Sequence, residues 1–217
     1  MSMTAPPPRP PRPGRIRVFR ALYDYQARSD QEMSFSEGDL VYVSEEGPNA
    51  DWLSARCGGQ KGLVPANYVV SEKVEHLPNP LHEAAKRGNI EFLTECLQNE
   101  VSINSLDKSG STALYWACHG GHLEMTKYLL QNTKINIMAK NKIGDTALHA
   151  AAWRGHPECV KLLLERDVDV WAENDEGKTA LAVAKDPETS ALLTSRMRAT
   201  RTNEDEFNEY ASDSDAD

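Results

Sequence analysis

The stretch Thr146-Ala147-Leu148-His149 recurs in altered form at three other places: Asn79-Pro80-Leu81-His82, Thr112-Ala113-Leu114-Tyr115 and Thr179-Ala180-Leu181-Ala182. The four leucines lie 33, 34 and 33 residues apart. Glycine follows the first three leucines at a constant distance, as Gly88, Gly121 and Gly155. Such a period indicates a repeated helical unit that buries its apolar side chains by stacking on its neighbours.

Each unit reads as a turn, a short helix, a glycine break and a longer helix with an apolar stripe. The period and the repeated text resemble the ankyrin-repeat family. The resemblance implies an all-α solenoid over 72–198, with about four repeats at 78–106, 107–140, 141–173 and 174–198. We interpret His82 and His149 as structural residues that form hydrogen bonds in the turns.

Residues 18–70 have the alternating pattern of short β-strands. The pattern predicts that the pairs Phe19/Ala21, Met33/Phe35 and Val41/Val43 face a core, while Tyr42 points away from it. Turn residues such as Gly58-Gly59 separate the apolar runs. Several short strands in so few residues favour a small barrel.

Specific blocks follow one another within this segment: Ala21-Leu22-Tyr23-Asp24-Tyr25, Glu37-Gly38-Asp39-Leu40, Asp51-Trp52 and Gly62-Leu63-Val64-Pro65-Ala66-Asn67-Tyr68-Val69. Their order and spacing resemble the SH3 family. The resemblance implies an all-β SH3 barrel over residues 17–71, so that the chain as a whole is a multidomain protein with a barrel followed by a solenoid.

The SH3 resemblance also implies a groove that binds proline-rich PxxP ligands. Its rings would come from Tyr23, Tyr25, Trp52, Pro65 and Tyr68, and the Asn67 amide would bond a peptide carbonyl. Asp30 and Glu32 would recognise the ligand's arginine or lysine, with Glu32 the stronger candidate. The alternative for Tyr23 and Trp52 is that they pack in the core.

The proline-rich start of the chain, residues 1–16, is predicted to be disordered. Residues 5–15 read APPPRPPRPGR and contain two overlapping PxxPx(R/K) patterns. A polyproline helix of this kind is a ligand for SH3 domains, which makes Src-type kinases or other SH3 proteins candidate partners. Binding to a second copy of this chain and a purely solubilising role both remain open, and the oligomeric state is not predicted.

The acidic end of the chain, residues 199–217, is also predicted to be disordered. Seven acidic residues and no basic residue lie between 202 and 217. Ser212 and Ser214 precede aspartates and are candidate phosphorylation sites, which would increase the negative charge. A solubilising tail is the alternative interpretation.

Three tryptophans in the repeats, Trp116, Trp153 and Trp171, are candidate contacts for a second protein partner. Tryptophan is common among residues that dominate binding energy at protein interfaces. Each of the three can instead pack against the next repeat, and the sequence leaves the two readings open.

Composition excludes several classes of function. The net charge of −9 disfavours nucleic acid as a partner, and no apolar run approaches the ~18 residues that a spanning helix needs. The four cysteines lie far apart without a CxxC pair, which indicates reduced thiols in a cytoplasmic protein. No constellation for catalysis, for a cofactor or for a metal is evident, so we do not expect an enzyme.

The order of the segments resembles a family of cytoplasmic signalling adaptors linked to indirect stimulation of osteoclast formation and bone resorption. By this resemblance, the SH3 groove binds one proline-rich protein while the repeats bind another. The alternative is a regulatory or inhibitory subunit whose repeats cap a partner enzyme.

Overall fold

The computed structural model of the chain describes residues 16–44, 51–70, 72–166 and 168–212, and for residues 70 and 202–212 it describes the backbone alone. The predicted head up to residue 15 and Ser214 therefore lie outside the described residues, and so does the side chain of Ser212. The chain forms two compact units. The first contains the described residues up to Pro80 together with Cys96–Ser102, and the second contains Leu81–Glu95 and the described residues from Ile103 onward.

The first unit contains a five-stranded antiparallel sheet in the order β4-β3-β2-β1-β5. The strands are β1 (Ile16–Ala21), β2 (Leu40–Ser44), β3 (Trp52–Cys57), β4 (Gln60–Pro65) and β5 (Val74–Leu77). A short helix, α1 (Ala66–Val70), separates β4 from β5. The predicted SH3-like barrel segment is confirmed.

The core of the sheet contains the residues that the alternation predicts to face inward. Phe19, Met33 and Val43 are buried, each at most 5% exposed. The same cluster also contains Ala21, Phe35, Val41, Ala55, Cys57, Val64, Tyr68 and Val69. Apolar residues at every second position of β1 and β2 thus form one packed layer.

Tyr42 departs from its prediction. Its side chain is only 1% exposed, although the alternation along β2 places it on the face opposite the core. The Tyr42 hydroxyl lies 4.0 Å from Cys96 Sγ, and Cys96–Ser102 belong to the same compact unit. The opposite face of β2 is therefore covered by a segment that lies far along the chain, which alternation within one strand cannot reveal.

The strand β5 extends the first unit beyond its predicted end at residue 71. It pairs with β1 in the register Val18↔Leu77 to Ala21↔Val74, and the His76 ring lies 5.2 Å from the Phe19 ring. The segment around residues 74–77 has no strong strand pattern. It becomes a strand because β1 offers it an edge for hydrogen bonding and an aromatic ring for packing.

The described residues from Pro80 onward contain eight helices joined by turns and loops. They are α2 (Pro80–Arg87), α3 (Ile90–Gln98), α4 (Ala113–His119), α5 (Leu123–Leu130), α6 (Ala147–Arg154), α7 (Pro157–Leu164), α8 (Ala180–Val183) and α9 (Pro187–Ser212). Four of these helices, α2, α4, α6 and α8, begin at or just before the recurring leucines. The predicted repeat solenoid is confirmed.

His82 and His149 form hydrogen bonds to residues of the turns, as predicted. His82 Nε2 lies 2.9 Å from the Ser105 carbonyl and 3.0 Å from the Ser111 carbonyl. His149 bonds Thr146 through Nδ1 and the Lys178 carbonyl, at 3.0 Å, through Nε2. Each of these imidazoles adds a side-chain donor to carbonyls of a following turn, where the Ser111 and Lys178 carbonyls also accept backbone N–H groups of Asp107 and Asn174.

The last helix, α9, reaches further than predicted. It begins after Asp186, whose Oδ1 accepts the Thr189 N–H at 2.9 Å, and continues to Ser212. The helix continues past residue 199, where the acidic tail is predicted to begin, and no proline or glycine follows Pro187 within it. The predicted boundary at residue 198 thus falls inside α9.

Candidate functional site

A groove in the first unit gathers seven of the eight residues that the SH3 resemblance implies. Its volume is about 950 Å³. The predicted residues that line it are Tyr23, Tyr25, Glu32, Trp52, Pro65, Asn67 and Tyr68. Asp30 is exposed and does not contribute to this lining.

The aromatic residues of the groove differ in exposure. Tyr23 is 62% exposed, whereas Tyr68 is only 6% exposed and Trp52 is half-buried. The Tyr25 and Tyr68 ring centroids lie 5.3 Å apart in an edge-on contact, and the Tyr68 hydroxyl donates to the Tyr23 carbonyl at 2.7 Å. The Tyr25 and Tyr68 rings therefore form a short row that is anchored in the core.

Glu32 is held at this row by three hydrogen bonds. Its Oε2 accepts the Tyr25 hydroxyl at 2.8 Å and the Arg28 N–H at 2.9 Å, and its Oε1 accepts the Ser29 hydroxyl at 3.1 Å. The Arg28 N–H and the Tyr25 hydroxyl hold the pKa of Glu32 below its usual value. Glu32 is therefore an ordered, ionised carboxylate at neutral pH.

The local backbone explains why Glu32 reaches the groove. The Met33 N–H donates to the Leu63 carbonyl at 3.1 Å, and the Leu63 N–H donates to the Gln31 carbonyl at 2.9 Å. These bonds fasten the loop around residue 32 to β4. A carboxylate on this loop can thus bind a ligand cation without first ordering the loop.

Sequence reasoning missed two cations of the groove, Arg28 and Lys73. Lys73 Nζ lies 5.5 Å from the Tyr68 ring centroid. The Leu22 N–H donates to the Lys73 carbonyl at 2.9 Å, which places residue 73 next to Tyr23. The sequence gives no signal for Lys73, because residues 71–79 have the composition of a linker.

In the second unit, Trp116 is held by polar contacts. Its Nε1–H donates to Asp107 Oδ2 at 2.8 Å, and Lys86 Nζ lies 4.3 Å from its ring centroid. Asp107 Oδ1 also accepts the N–H groups of Ser109 and Ser111, which closes the turn before α4. Trp116 is thus half-buried and tied to its own repeat.

Trp153 lies on the same surface as Trp116, whereas Trp171 has different neighbours. The His119 ring lies 5.3 Å from Trp116 and 5.7 Å from Trp153, so it joins the two tryptophans. Trp153 is 42% exposed, with Lys185 Nζ 4.3 Å from its ring centroid. Trp171 is 47% exposed, and its Nε1–H donates to Thr200 Oγ1 of α9 at 3.4 Å.

The thiols are buried. Cys96, Cys118 and Cys159 are at most 1% exposed and Cys57 is 8% exposed. Burial raises the pKa of Cys118 far above its usual value. Among the described residues, no group of three or more His, Cys, Asp or Glu side chains is placed to hold a metal ion. Within the same part of the chain, no helix has the length and apolar composition needed to cross a membrane.

Comparison with protein-family models matches both units. Residues 21–70 match a variant SH3 domain. Residues 61–141, 81–174 and 136–195 match ankyrin repeats in three copies. Both modules are protein-interaction modules.

Three curated relatives align with the chain, two of them over nearly its whole length. Osteoclast-stimulating factor 1 of Monopterus albus is 48% identical over 217 residues, covering 99% of this chain and 100% of that protein. The protein of the same name from Bos taurus is 48% identical over 220 residues, with the same coverage. That of Gallus gallus is 49% identical over 135 residues, which are 62% of this chain and 66% of that protein. A sheet with an aromatic groove, a stack of repeats and relatives that align from end to end agree: the chain belongs to the osteoclast-stimulating factor 1 family.

Proposed function

We propose that the chain is a non-catalytic adaptor that binds a proline-rich protein in its groove and a second protein on its repeats. The observation that carries this proposal is the row of rings beside Glu32. Exposed aromatic rings in a small domain are costly to keep in water unless they meet a partner. A polyproline helix offers flat apolar faces for such rings and a carbonyl array that lacks internal donors.

The groove supplies the two kinds of contact that such a ligand needs. Proline rings pack between Tyr23, Tyr68 and Trp52, while the Asn67 amide donates to a ligand carbonyl. Glu32 then pairs with an arginine or lysine that follows the prolines. Because hydrogen bonds already order Glu32, the ligand loses little affinity to loop ordering.

The second binding surface consists of Trp116, His119 and Trp153, a set we call the tryptophan surface. Lys86 and Lys185 lie over its two indole rings. Large rings at the surface of a repeat array are suited to anchor a partner protein. Holding two proteins on one chain raises their effective concentration for each other, which is how an adaptor acts without catalysis.

A crosslinking pulldown from cytoplasmic extract tests the proposal with two matched variants. We expect Trp52→Lys to lose the proline-rich partners and to retain those of the repeats. Trp153→Lys makes the same substitution at an exposed tryptophan of the repeats. We expect this variant to lose the partners of the repeats and to retain the proline-rich partners. Recovery of both classes of partner with both variants would contradict the adaptor model. Mutually exclusive binding of the two classes would favour a regulatory subunit.

The name of the relatives suggests the physiological setting. We propose that this chain acts in the cytoplasm and that its stimulation of osteoclast formation is indirect, through the proteins it holds together. Src-type kinases are candidate partners through the proline-rich head. Expression of the unaltered chain and of Trp52→Lys in cultured osteoclast precursors tests this step. Equal osteoclast numbers with the two proteins would show that the effect on osteoclast formation does not require ligand binding in the groove.

A further inference from the structure

The groove has opposite charges at its two ends. The Glu32 carboxylate lies 2.8 Å from the Tyr25 hydroxyl, and the Tyr25 ring lies 5.3 Å from the Tyr68 ring. Lys73 Nζ then lies 5.5 Å from the Tyr68 ring. These contacts order the groups as Glu32, Tyr25, Tyr68 and Lys73, so a carboxylate marks one end of the ring row and an ammonium group marks the other.

The backbone fixes the position of Lys73. The register pair Ala21↔Val74 joins β1 to β5, and the bond from the Leu22 N–H to the Lys73 carbonyl extends this pairing by one residue. Residue 73 therefore lies beside Tyr23 whenever β5 is paired. Its side chain is exposed, and its charged Nζ lies over the Tyr68 ring.

Two other charged residues, Asp24 and Arg28, also line the groove. Asp24 lines the same groove, and its carboxylate, whose Oδ1 accepts the Glu37 N–H at 2.8 Å, offsets part of the Lys73 charge. Arg28 lies at the Glu32 end, where its N–H donates to that carboxylate. Among the described residues that line the groove, Lys73 is the cation at the Tyr23 end, close to the Asp24 carboxylate.

We propose that Lys73 is a specificity-determining residue that selects proline-rich peptides with a carboxylate on the side of the prolines opposite their arginine or lysine. This inference rests on the proposed function, because it requires the groove to bind proline-rich peptides. A peptide whose cation pairs with Glu32 places its other end beside Lys73. A glutamate there gains an attractive charge, whereas a lysine meets repulsion.

The proline-rich head of this chain lacks the carboxylate that Lys73 would select. Residues 5–15 contain Arg9, Arg12 and Arg15 and no acidic residue. Docked with one arginine at Glu32, the head of a second copy brings no carboxylate to Lys73. The groove therefore favours a foreign acid-flanked peptide over a second copy's head.

Titration of the full chain with three synthetic peptides tests the inference. The peptides share the core PPxPPxR and differ only in the residue before it, which is glutamate, alanine or lysine. At low ionic strength we expect the glutamate peptide to bind about threefold more tightly than the alanine peptide, and the lysine peptide to bind more weakly than either. The differences should shrink at high salt, since exposed charges are screened.

Three variants make the test specific. Lys73→Glu is expected to reverse the order of the peptides and to tighten binding of a peptide of residues 5–15, and Lys73→Gln to make the three core peptides bind equally. Lys61→Glu introduces the same charge change on β4, outside the groove lining, and should keep the original order. Equal affinities in the unaltered chain, or an order that survives Lys73→Glu, would overturn the inference and leave the proposed function intact. Failure of all peptides to bind would overturn the proposed function and this inference with it.

Discussion

The Tyr25 hydroxyl donates a 2.8 Å hydrogen bond to Glu32 Oε2, and this bond links an aromatic ring of the groove to its ordered carboxylate. Both partners respond to it. The pKa of Glu32 is lowered, first by the Arg28 N–H and then by Tyr25, while the pKa of Tyr25 is raised. The bond therefore stabilises the charged form of one group and the neutral form of the other.

Tyr25 is expected to ionise at unusually high pH. Burial, together with its bond to Glu32 and the charge of Glu32, raises the pKa of Tyr25 to about 12. Since the unfolded chain ionises this tyrosine near 10, its contribution to stability is complete below pH 10 and is lost as pH rises towards 12. Absorbance titration of the unaltered chain against Tyr25→Phe measures this pKa. In Glu32→Gln we expect a lower value that stays above 10, because burial persists, and an unchanged value would refute the assigned coupling.

Glu32 and Asp30 are expected to contribute unequally to peptide binding. Glu32→Gln removes an ordered charge from the groove and should weaken binding of an arginine-containing PxxP peptide by about tenfold. Asp30→Asn removes the same charge from a neighbouring exposed position outside the groove lining and should change affinity less than twofold. Isothermal titration calorimetry compares the two variants, and equal losses would mean that the loop acts only through its net charge.

His82 is expected to make stability depend on pH. Burial lowers the pKa of His82, and its Nδ1 has no hydrogen-bond partner among the described residues. The unfolded chain therefore takes up this proton more readily, so the contribution is complete above pH 6.5 and is lost as pH falls towards the folded pKa.

Urea unfolding at pH 7.5 and pH 5 measures this effect against His82→Gln. We expect the variant to lose about 1–3 kcal/mol at pH 7.5, because the Ser105 and Ser111 carbonyls lose the imidazole N–H, although the Ser111 carbonyl keeps the Asp107 N–H. Its stability should also fall less between the two pH values. An undiminished pH dependence in the variant would assign the effect to other groups.

Gly144 and Gly177 form a matched pair for testing contact between repeats. Both have positive φ, at 78° and 70°, so alanine is strained at either position. A Cβ at Gly144 would lie 2.5 Å from Asp175 N, whereas a Cβ at Gly177 meets no atom within 4 Å. Gly177→Ala should therefore cost about 1 kcal/mol of unfolding free energy and Gly144→Ala at least twice that. Thermal and chemical denaturation measure the unfolding free energy of both variants. Equal losses would show that the backbone at Asp175 moves to accommodate the methyl group at position 144.

Local sequence was sufficient where periodicity determines structure. The leucine spacing predicted where α4 and α6 begin, because Leu114 and Leu148 must pack at the same height in successive repeats. The alternation along β1 and β2 predicted the core for the same kind of reason. The rings of the groove were implied by family resemblance, and the structure brings Tyr23, Trp52 and Tyr68 to one cavity.

Longer-range features escaped prediction for physical reasons. The burial of Tyr42 depends on Cys96, and the pairing of β5 depends on an unoccupied edge of β1. The bonds that order Glu32 depend on the exact path of its loop. The helical extension of α9 depends on the absence of a breaker in a stretch whose charge favoured disorder. For Tyr42 and for β5, the deciding partner lies outside the window that the pattern covers.

The β1–β5 pairing also governs how the molecule can be dissected. The family match for the first module ends at residue 70, but a fragment cut there lacks Val74–Leu77. Its β1 would then present unpaired N–H and carbonyl groups at a sheet edge, a template for fibrillar or swapped assemblies, and its groove would lose Lys73. An excised domain that is to report native ligand preference must therefore carry the chain through Leu77.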